Sequence, residues 1–286
     1  METNLLSAKK DGQSRLLRVL VDAGALLVLV VMLGMILYIL FKGIPNLSPD
    51  LFSWNYTSDN VSLMPALINT LSMMLLSLLF SLPAGIGAAI FLVEYTKKGS
   101  RFVRLISVAA ETLAGIPSIV FGLFGSLCFV KFFHLGLSIL SGSLTLALMV
   151  LPLIMRTTFQ ALEEVPDLYR EGSYGLGAGR VRTIFRIVLP SSVPGIFAGV
   201  VLAVGKIAGE SAALLFTAGS AAQIASSLST SGRTLAVHMY VLSCEGLHIP
   251  QTYATAVVLM IMLVVLNDVF PMSRTKFLDR PLRLDK

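Results

Sequence analysis

Residues 160–190 read QALEEVPDLYREGSYGLGAGRVRTIFRIVLP. Pro166 and Asp167 open a helix, because proline suits the first helical turn and a carboxylate suits the positive end of the helix dipole. The pattern predicts a short helix from Asp167 to about Leu176, broken by Gly175, Gly177 and Gly179. A second helical segment is predicted from Arg180 to Leu189, with Ile184, Phe185 and Val188 on one face and arginines around it. The product is a basic helix–glycine–helix elbow between long apolar stretches. Such an elbow transmits rigid-body motion that a flexible loop would dissipate.

Those flanking stretches decide the fold class. A membrane-crossing helix takes about 20 mostly apolar residues, and six stretches reach that length: 19–41, 66–93, 104–131, 137–158, 193–217 and 252–273. The 286-residue chain is 55% hydrophobic and 13% charged, against roughly 25% charged in a soluble domain. The expected architecture is all-α, a polytopic membrane protein with six transmembrane helices over 19–275. Tails at 1–18 and 276–286 flank it. The first run is too long for a signal-peptide core and is expected to be retained. Pro83, with Gly85 and Gly87, and Pro117 mark expected kinks.

Lysine and arginine in short loops set orientation. Lys9, Lys10, Arg15 and Arg18 precede the first span, and Lys97, Lys98, Arg101 and Arg104 follow the second. Arg170, Arg180, Arg182 and Arg186 follow the fourth, and Arg274, Lys276, Arg280, Arg283 and Lys286 follow the sixth. Only Lys42, Lys131 and Arg233 fall on the other side. Both termini and the elbow are therefore expected in the cytoplasm. On the outer side, Trp54 and Tyr56 suit a membrane–water interface, and 235–242 is expected to be a short helix against the bilayer.

The net charge of +6 lacks the aromatic-interleaved basic stripe of a nucleic-acid binder, so no nucleic-acid partner is expected. Cys128 and Cys244 are isolated and His134, His238 and His248 scattered, so neither a disulfide framework nor a metal site is expected. The histidines are read as surface or interface residues. No phosphate-cradling Gly-rich loop with Gly-Lys-Ser/Thr is present, so no nucleotide cofactor is expected in this chain.

The elbow resembles the EAA loop of bacterial ABC-importer permeases: Glu171-Gly172-Ser173, then Gly177, then Ile187-x-Leu189-Pro190, with Gly172 and Ser173 where two alanines are usual. The resemblance implies the MetI-like permease fold and a coupling loop docked on an ATPase subunit dimer, which binds ATP and Mg²⁺. Arg170, Glu171, Tyr174, Gly177, Phe185 and Pro190 are the expected coupling residues. Further segments are similar to the phosphate permease subunit of the PstA type: ALINT at 66–70, with Pro83, Gly85 and Glu94-Tyr95 at the end of the same span, LAGIPSIVFGL at 113–123, LIMRTT at 153–158 and AVGKIAGESAALLFT at 203–217. That similarity implies a bacterial inner-membrane complex with a second homologous permease and a phosphate-binding protein.

Lys206 and Glu210 lie within an apolar stretch, where each ionisable side chain costs roughly 2.5–3.5 kcal/mol on insertion scales and marks a functional site by default. Four residues apart on a helix they would share a face, with Lys206 meeting an oxyanion and Glu210 holding it in place. The relatives normally carry arginine where Lys206 stands; lysine keeps the charge and loses the bidentate geometry. Arg156 is a second candidate cation on the path, and Ser118, after Pro117, a candidate hydroxyl donor. Glu111 is left between Arg104 and a partner subunit. The expected function is the permease subunit of an ATP-driven phosphate importer. The rivals are a permease for phosphonate, sulfate or molybdate, an ion-driven secondary transporter, and a membrane scaffold.

Overall fold

A computed structural model describes residues 2–97 and 99–278, with side chains over 17–97 and 99–267. Of the basic residues used for orientation, Lys98, Arg280, Arg283 and Lys286 lie outside the described residues, as do the side chains of Lys9, Lys10, Arg15, Arg274 and Lys276. The described residues form α-helices and no strand. The helices are α1 (Glu2–Gly43), α2 (Met64–Ile90), α3 (Arg101–Ala114), α4 (Ser118–Gly125), α5 (Ile139–Glu163) and α6 (Asp167–Gly175). They continue with α7 (Arg180–Thr183), α8 (Leu189–Ala208), α9 (Ala212–Thr217), α10 (Leu235–Glu245) and α11 (Ile249–Leu278). π-helical turns at Phe91–Tyr95, Ser126–Phe132 and Ile184–Val188 extend α2, extend α4 and join α7 to α8.

Five helical stretches are long and apolar enough to cross a membrane: Leu17–Asn46, Met64–Tyr95, Ile139–Glu163, Arg180–Ala208 and Ile249–Asn267. A sixth is counted when α3 and the helix beginning at Ser118 are taken together, although they meet at 97°. The break falls at Pro117, as the sequence indicates, but it is far sharper than a kink. Proline denies the preceding residue its helical conformation, and α3 turns away with Phe102, Leu105 and Val108 exposed. The fifth stretch also differs from expectation. Its helix begins at Arg180, in the elbow, and ends at Ala208. Gly209, Glu210 and Ser211 break it before α9, so 193–217 is not one continuous helix.

α5 is the central post. Lipid is as apolar as leucine, so helices in a membrane associate through close packing and small residues. Gly85 of α2 sits on Ile154, and Gly195 and Gly199 of α8 sit on Ala161 and Thr157. A Cβ at Gly85 would come 2.8 Å from the Ile154 side chain. Ser77 donates to the Ser143 carbonyl across the α2–α5 seam at 3.1 Å. Around these contacts Met73, Leu146, Val150, Ile154, Val204 and Leu214 form the main core. α1 lies against α11 at one edge, where Gly43 approaches Tyr253 and Val257 and Tyr38 meets Tyr253 edge-on at 5.8 Å.

The connection between α9 and α10 is pinned to the start of α2. Asn69, 2% exposed, donates to the carbonyls of Gln223 and Arg233 and accepts from Ala225 N–H. Thr70 accepts from Leu235 N–H, which fixes the start of α10. The expected short helix at 235–242 is thus present as α10, and it ends on left-handed Gly246.

Candidate functional site

The elbow is built as its residues dictate. α6 starts at Asp167 behind Pro166 and stops at Gly175. Gly177 takes φ +81°, a left-handed conformation that side-chain-bearing residues adopt at about 1–2 kcal/mol. Gly177 N–H reaches Tyr174 O and Ala178 N–H reaches Ser173 O, so the last carbonyls of α6 are satisfied by a Schellman closure. Ser173 is buried and shares a 2.8 Å hydrogen bond with Thr183 of α7, which also donates to Gly179 O. The serine standing where the family's alanine is usual therefore ties the two arms together. Gly172 faces open space.

The expected coupling residues divide. Glu171, Tyr174, Gly177, Phe185 and Pro190 are exposed, beside Leu168 at 74% and Leu176 at 91% exposure. Arg170 is not a surface residue: its side chain is 11% exposed and paired with Glu94, 4% exposed, at 2.8 Å. Phe185 also departs from expectation. Ile184 and Val188 are buried while Phe185 is 58% exposed. The π-helical turn at Ile184–Val188 has a wider pitch than the 3.6-residue period and rotates Phe185 off the shared face.

The contacts of α5 fix the depth of the charged residues. Gly199 meets Thr157 toward the C-terminal end of α5, and Gly142 meets Leu214 and Ala218 near its N-terminal end. Lys206 falls between them, roughly 10 Å beyond Gly199 at 1.5 Å per residue, level with the middle of α5. It is partly buried. The Lys206–Glu210 ion pair expected from sequence does not form. The helix ends at Ala208, so the two residues do not share a helical face. Glu210 instead accepts a 3.0 Å hydrogen bond from Ala213 N–H and caps α9, where a carboxylate is favoured by unpaired N–H groups and the helix dipole. Lys206 makes no ion pair or hydrogen bond among the described residues.

A second helix break precedes α4, which packs on α9. Gly122 of α4 packs on Ala213 of α9, where a Cβ would come within 2.7 Å, and Gly125 packs on Thr217. The two short helices therefore run parallel, and Ser118 is the first residue of α4, directly after the Pro117 break. Arg156 lies nearer the C-terminal end of α5 and pairs with Glu111 at 3.3 Å, both about half exposed. That contact settles the partner of Glu111 as Arg156 rather than Arg104. The pair borders a cavity of about 180 Å³ that also touches Met155, Phe159 and Glu163.

Trp54, Tyr56, Pro65 and residues 221–224 surround an open cavity of about 720 Å³. Arg233, 4% exposed, lies 4.6 Å over the Tyr56 ring, and His238 meets that ring edge-on at 6.2 Å. His238 is fully buried rather than a surface residue. Burial and then the Arg233 charge lower its pKa to about 3. Sequence reasoning named Glu94 only within a family resemblance and missed it as a partner of Arg170, a residue 76 positions away.

Residues 81–271 match the family described as "Binding-protein-dependent transport system inner membrane component". The chain is 34% identical over 200 residues to the probable ABC transporter permease protein YqgI of Bacillus subtilis, covering 68% of this chain and 67% of that protein. It is 31% identical over 244 residues to the phosphate transport system permease protein PstC of Mesorhizobium japonicum, covering 74% of each. With the PstA protein of Xylella fastidiosa it shares 38% identity over 184 residues, 62% of each chain. Among solved structures, a bacterial ABC transporter that imports the acidic polysaccharide alginate superposes with a TM-score of 0.58 at 18% identity, covering 87% of this chain and 95% of that one. The MetNI methionine ABC transporter gives 0.59 at 19% identity, covering 71% and 90%. With its bundle of apolar helices and its exposed elbow, this chain belongs to the family of inner-membrane components of binding-protein-dependent transport systems, as an ABC importer permease.

Proposed function

We propose that the chain forms half of the pathway of an ATP-driven importer of inorganic phosphate, seated in a bacterial inner membrane with both termini cytoplasmic. The observation that carries this reading is Lys206, a mid-span cation with no ion pair or hydrogen bond among the described residues, while the nearby carboxylate of Glu210 is engaged as the cap of α9. A cation in that position favours an anionic cargo, and the similarity to phosphate permeases narrows the anion to phosphate. Ser118, at the second helix break, and Arg156, toward the inner end, complete the path.

The exposed face of the elbow, with Glu171, Tyr174, Phe185 and Pro190, docks on a separate ATPase dimer, which binds ATP and Mg²⁺. Closure of that dimer moves the elbow and opens the bundle outward; hydrolysis restores the inward-facing state. The outer cavity beside Trp54 and Tyr56 faces a phosphate-binding protein. The exposed apolar length of α1 is left to lipid and to a second, homologous permease.

The test is co-expression with the adjacent ATPase, second permease and binding protein, followed by ATP-driven uptake into proteoliposomes. Uptake of phosphate, with sulfate and molybdate failing to compete, supports the reading. Equal competition by sulfate would move the chain to another oxyanion, and failure to co-purify with the ATPase would remove the coupling role.

A further inference from the structure

The geometry points to the Glu94–Tyr95 dipeptide, at the inner end of α2, as a two-point clamp that holds both arms of the elbow and makes α2 a driven element of transport. This rests on the coupling role proposed for the elbow and adds a positioning site to it.

Glu94 holds the first arm. One oxygen of its carboxylate accepts from Arg170 Nε at 3.0 Å and from Arg170 Nη2 at 2.8 Å. The same guanidinium donates from Nη1 to Val165 O at 2.7 Å and from Nη2 to Leu162 O at 3.0 Å. Arg170 thereby joins α6, the inner end of α5 and the inner end of α2 in one planar, nearly dry contact. Arginine offers several rigidly placed donors where lysine offers a point charge.

Tyr95 holds the second arm. Arg180, the first residue of α7, lies 5.4 Å from the centre of the Tyr95 ring, within cation–π range. Ser173 and Thr183 then link the arms to each other. Both clamp residues lie in the π-helical turn Phe91–Tyr95. Such single turns recur at functional positions because the added residue redirects the side chains.

The mechanical consequence follows from the packing. The elbow is continuous in chain with α5 and α8, so those helices follow it covalently. α2 has no such link, and without the clamp it would receive motion only through its side packing, chiefly on α5 and also on α8. With both arms held, rotation of the elbow applies force to α2 at its inner end.

The experiment compares ATP hydrolysis and cargo uptake by the reconstituted four-component complex. Tyr95→Leu removes the ring and Tyr95→Phe keeps it. Glu94→Gln removes the charge, with the amount of assembled complex measured alongside, because an unpaired buried Arg170 can impair assembly. The clamp predicts that Tyr95→Leu and Glu94→Gln keep ATPase activity per complex but lower uptake per ATP about tenfold, while Tyr95→Phe behaves as wild type; coupling residues of this kind shift function by a few-fold to about thirty-fold. Parallel loss of ATPase activity and uptake in proportion to assembly would assign a purely structural role and overturn the clamp. Normal uptake per ATP in both variants would overturn it too. A wild-type complex that hydrolyses no ATP with uptake would instead sink the coupling role itself, and the clamp with it.

Discussion

Ser173 and Thr183, on opposite arms of the elbow, are joined by a buried hydroxyl–hydroxyl hydrogen bond of 2.8 Å. This contact makes the elbow one body rather than two helices on a hinge, since Gly177 alone restricts only the turn between them. An intramolecular hydrogen bond contributes about 0.5–1.5 kcal/mol net, and an orphaned buried partner costs about 1–3 kcal/mol.

Ser173→Ala should therefore lower the thermal stability of the assembled complex by about 0.5–1.5 kcal/mol, since Thr183 keeps Gly179 O as its acceptor, and Thr183→Val by about 1–3 kcal/mol, since it strands the Ser173 hydroxyl. The double variant should lose less than the sum, since neither hydroxyl is then stranded. Thermal unfolding of the four proteins in one detergent checks this. Full additivity would mean that the two hydroxyls act separately.

Gly177→Val should uncouple the elbow through backbone conformation, because no atom lies within 4 Å of the position where a Cβ would stand. A β-branched residue at φ +81° costs at least about 1–2 kcal/mol. Uptake should fall further than ATPase activity. Gly177→Asn, which tolerates the left-handed region better, should retain most uptake. Equal damage from valine and asparagine would point to a docking surface instead of a turn.

How Glu210 works can be separated from Lys206. If its role is to cap α9, Glu210→Gln keeps an oxygen to accept Ala213 N–H and should retain much of the uptake. Glu210→Ala, which removes the cap at a cost of about 1 kcal/mol, should be clearly worse. Were neutralisation of Lys206 its role, glutamine and alanine would fail alike. Uptake rates of the two variants decide between these.

His238 gives a pH signature. Its pKa falls from an ordinary 6.5 to about 3 in the folded protein, by burial first and then by the Arg233 charge. Between those values the unfolded chain binds the proton and the folded chain does not, so stability is full above about pH 6.5 and declines as pH falls toward 3. The wild-type complex should lose more thermal stability than His238→Phe on moving from about pH 7.5 to about pH 5. Identical losses would place the titration elsewhere.

The sequence is most readable where the signal is local. Apolar run length announces the membrane helices, Pro166 and Gly177 frame α6, and Thr234 begins α10 by accepting from Val237 N–H. What local pattern cannot carry is the size of a break or the far partner of a charge. Pro117 marks where α3 ends, but tertiary packing of α4 on α9 sets the 97° turn. The i, i+4 argument for Lys206 and Glu210 assumed an unbroken helix, whereas Gly209 ends it. Arg170 looks like one more basic residue of an inner loop until the end of α2 is brought beside it. Phe185 obeys a 3.6-residue period that the π-helical turn does not keep.

The most direct test of the central claim, that an uncompensated mid-span cation serves an oxyanion path, is phosphate uptake per ATP hydrolysed by the reconstituted complex carrying Lys206→Ala beside Lys206→Arg. The account predicts an assembled, ATP-hydrolysing complex in both cases, with uptake abolished by alanine and retained by arginine. Wild-type phosphate uptake in the alanine variant would contradict it.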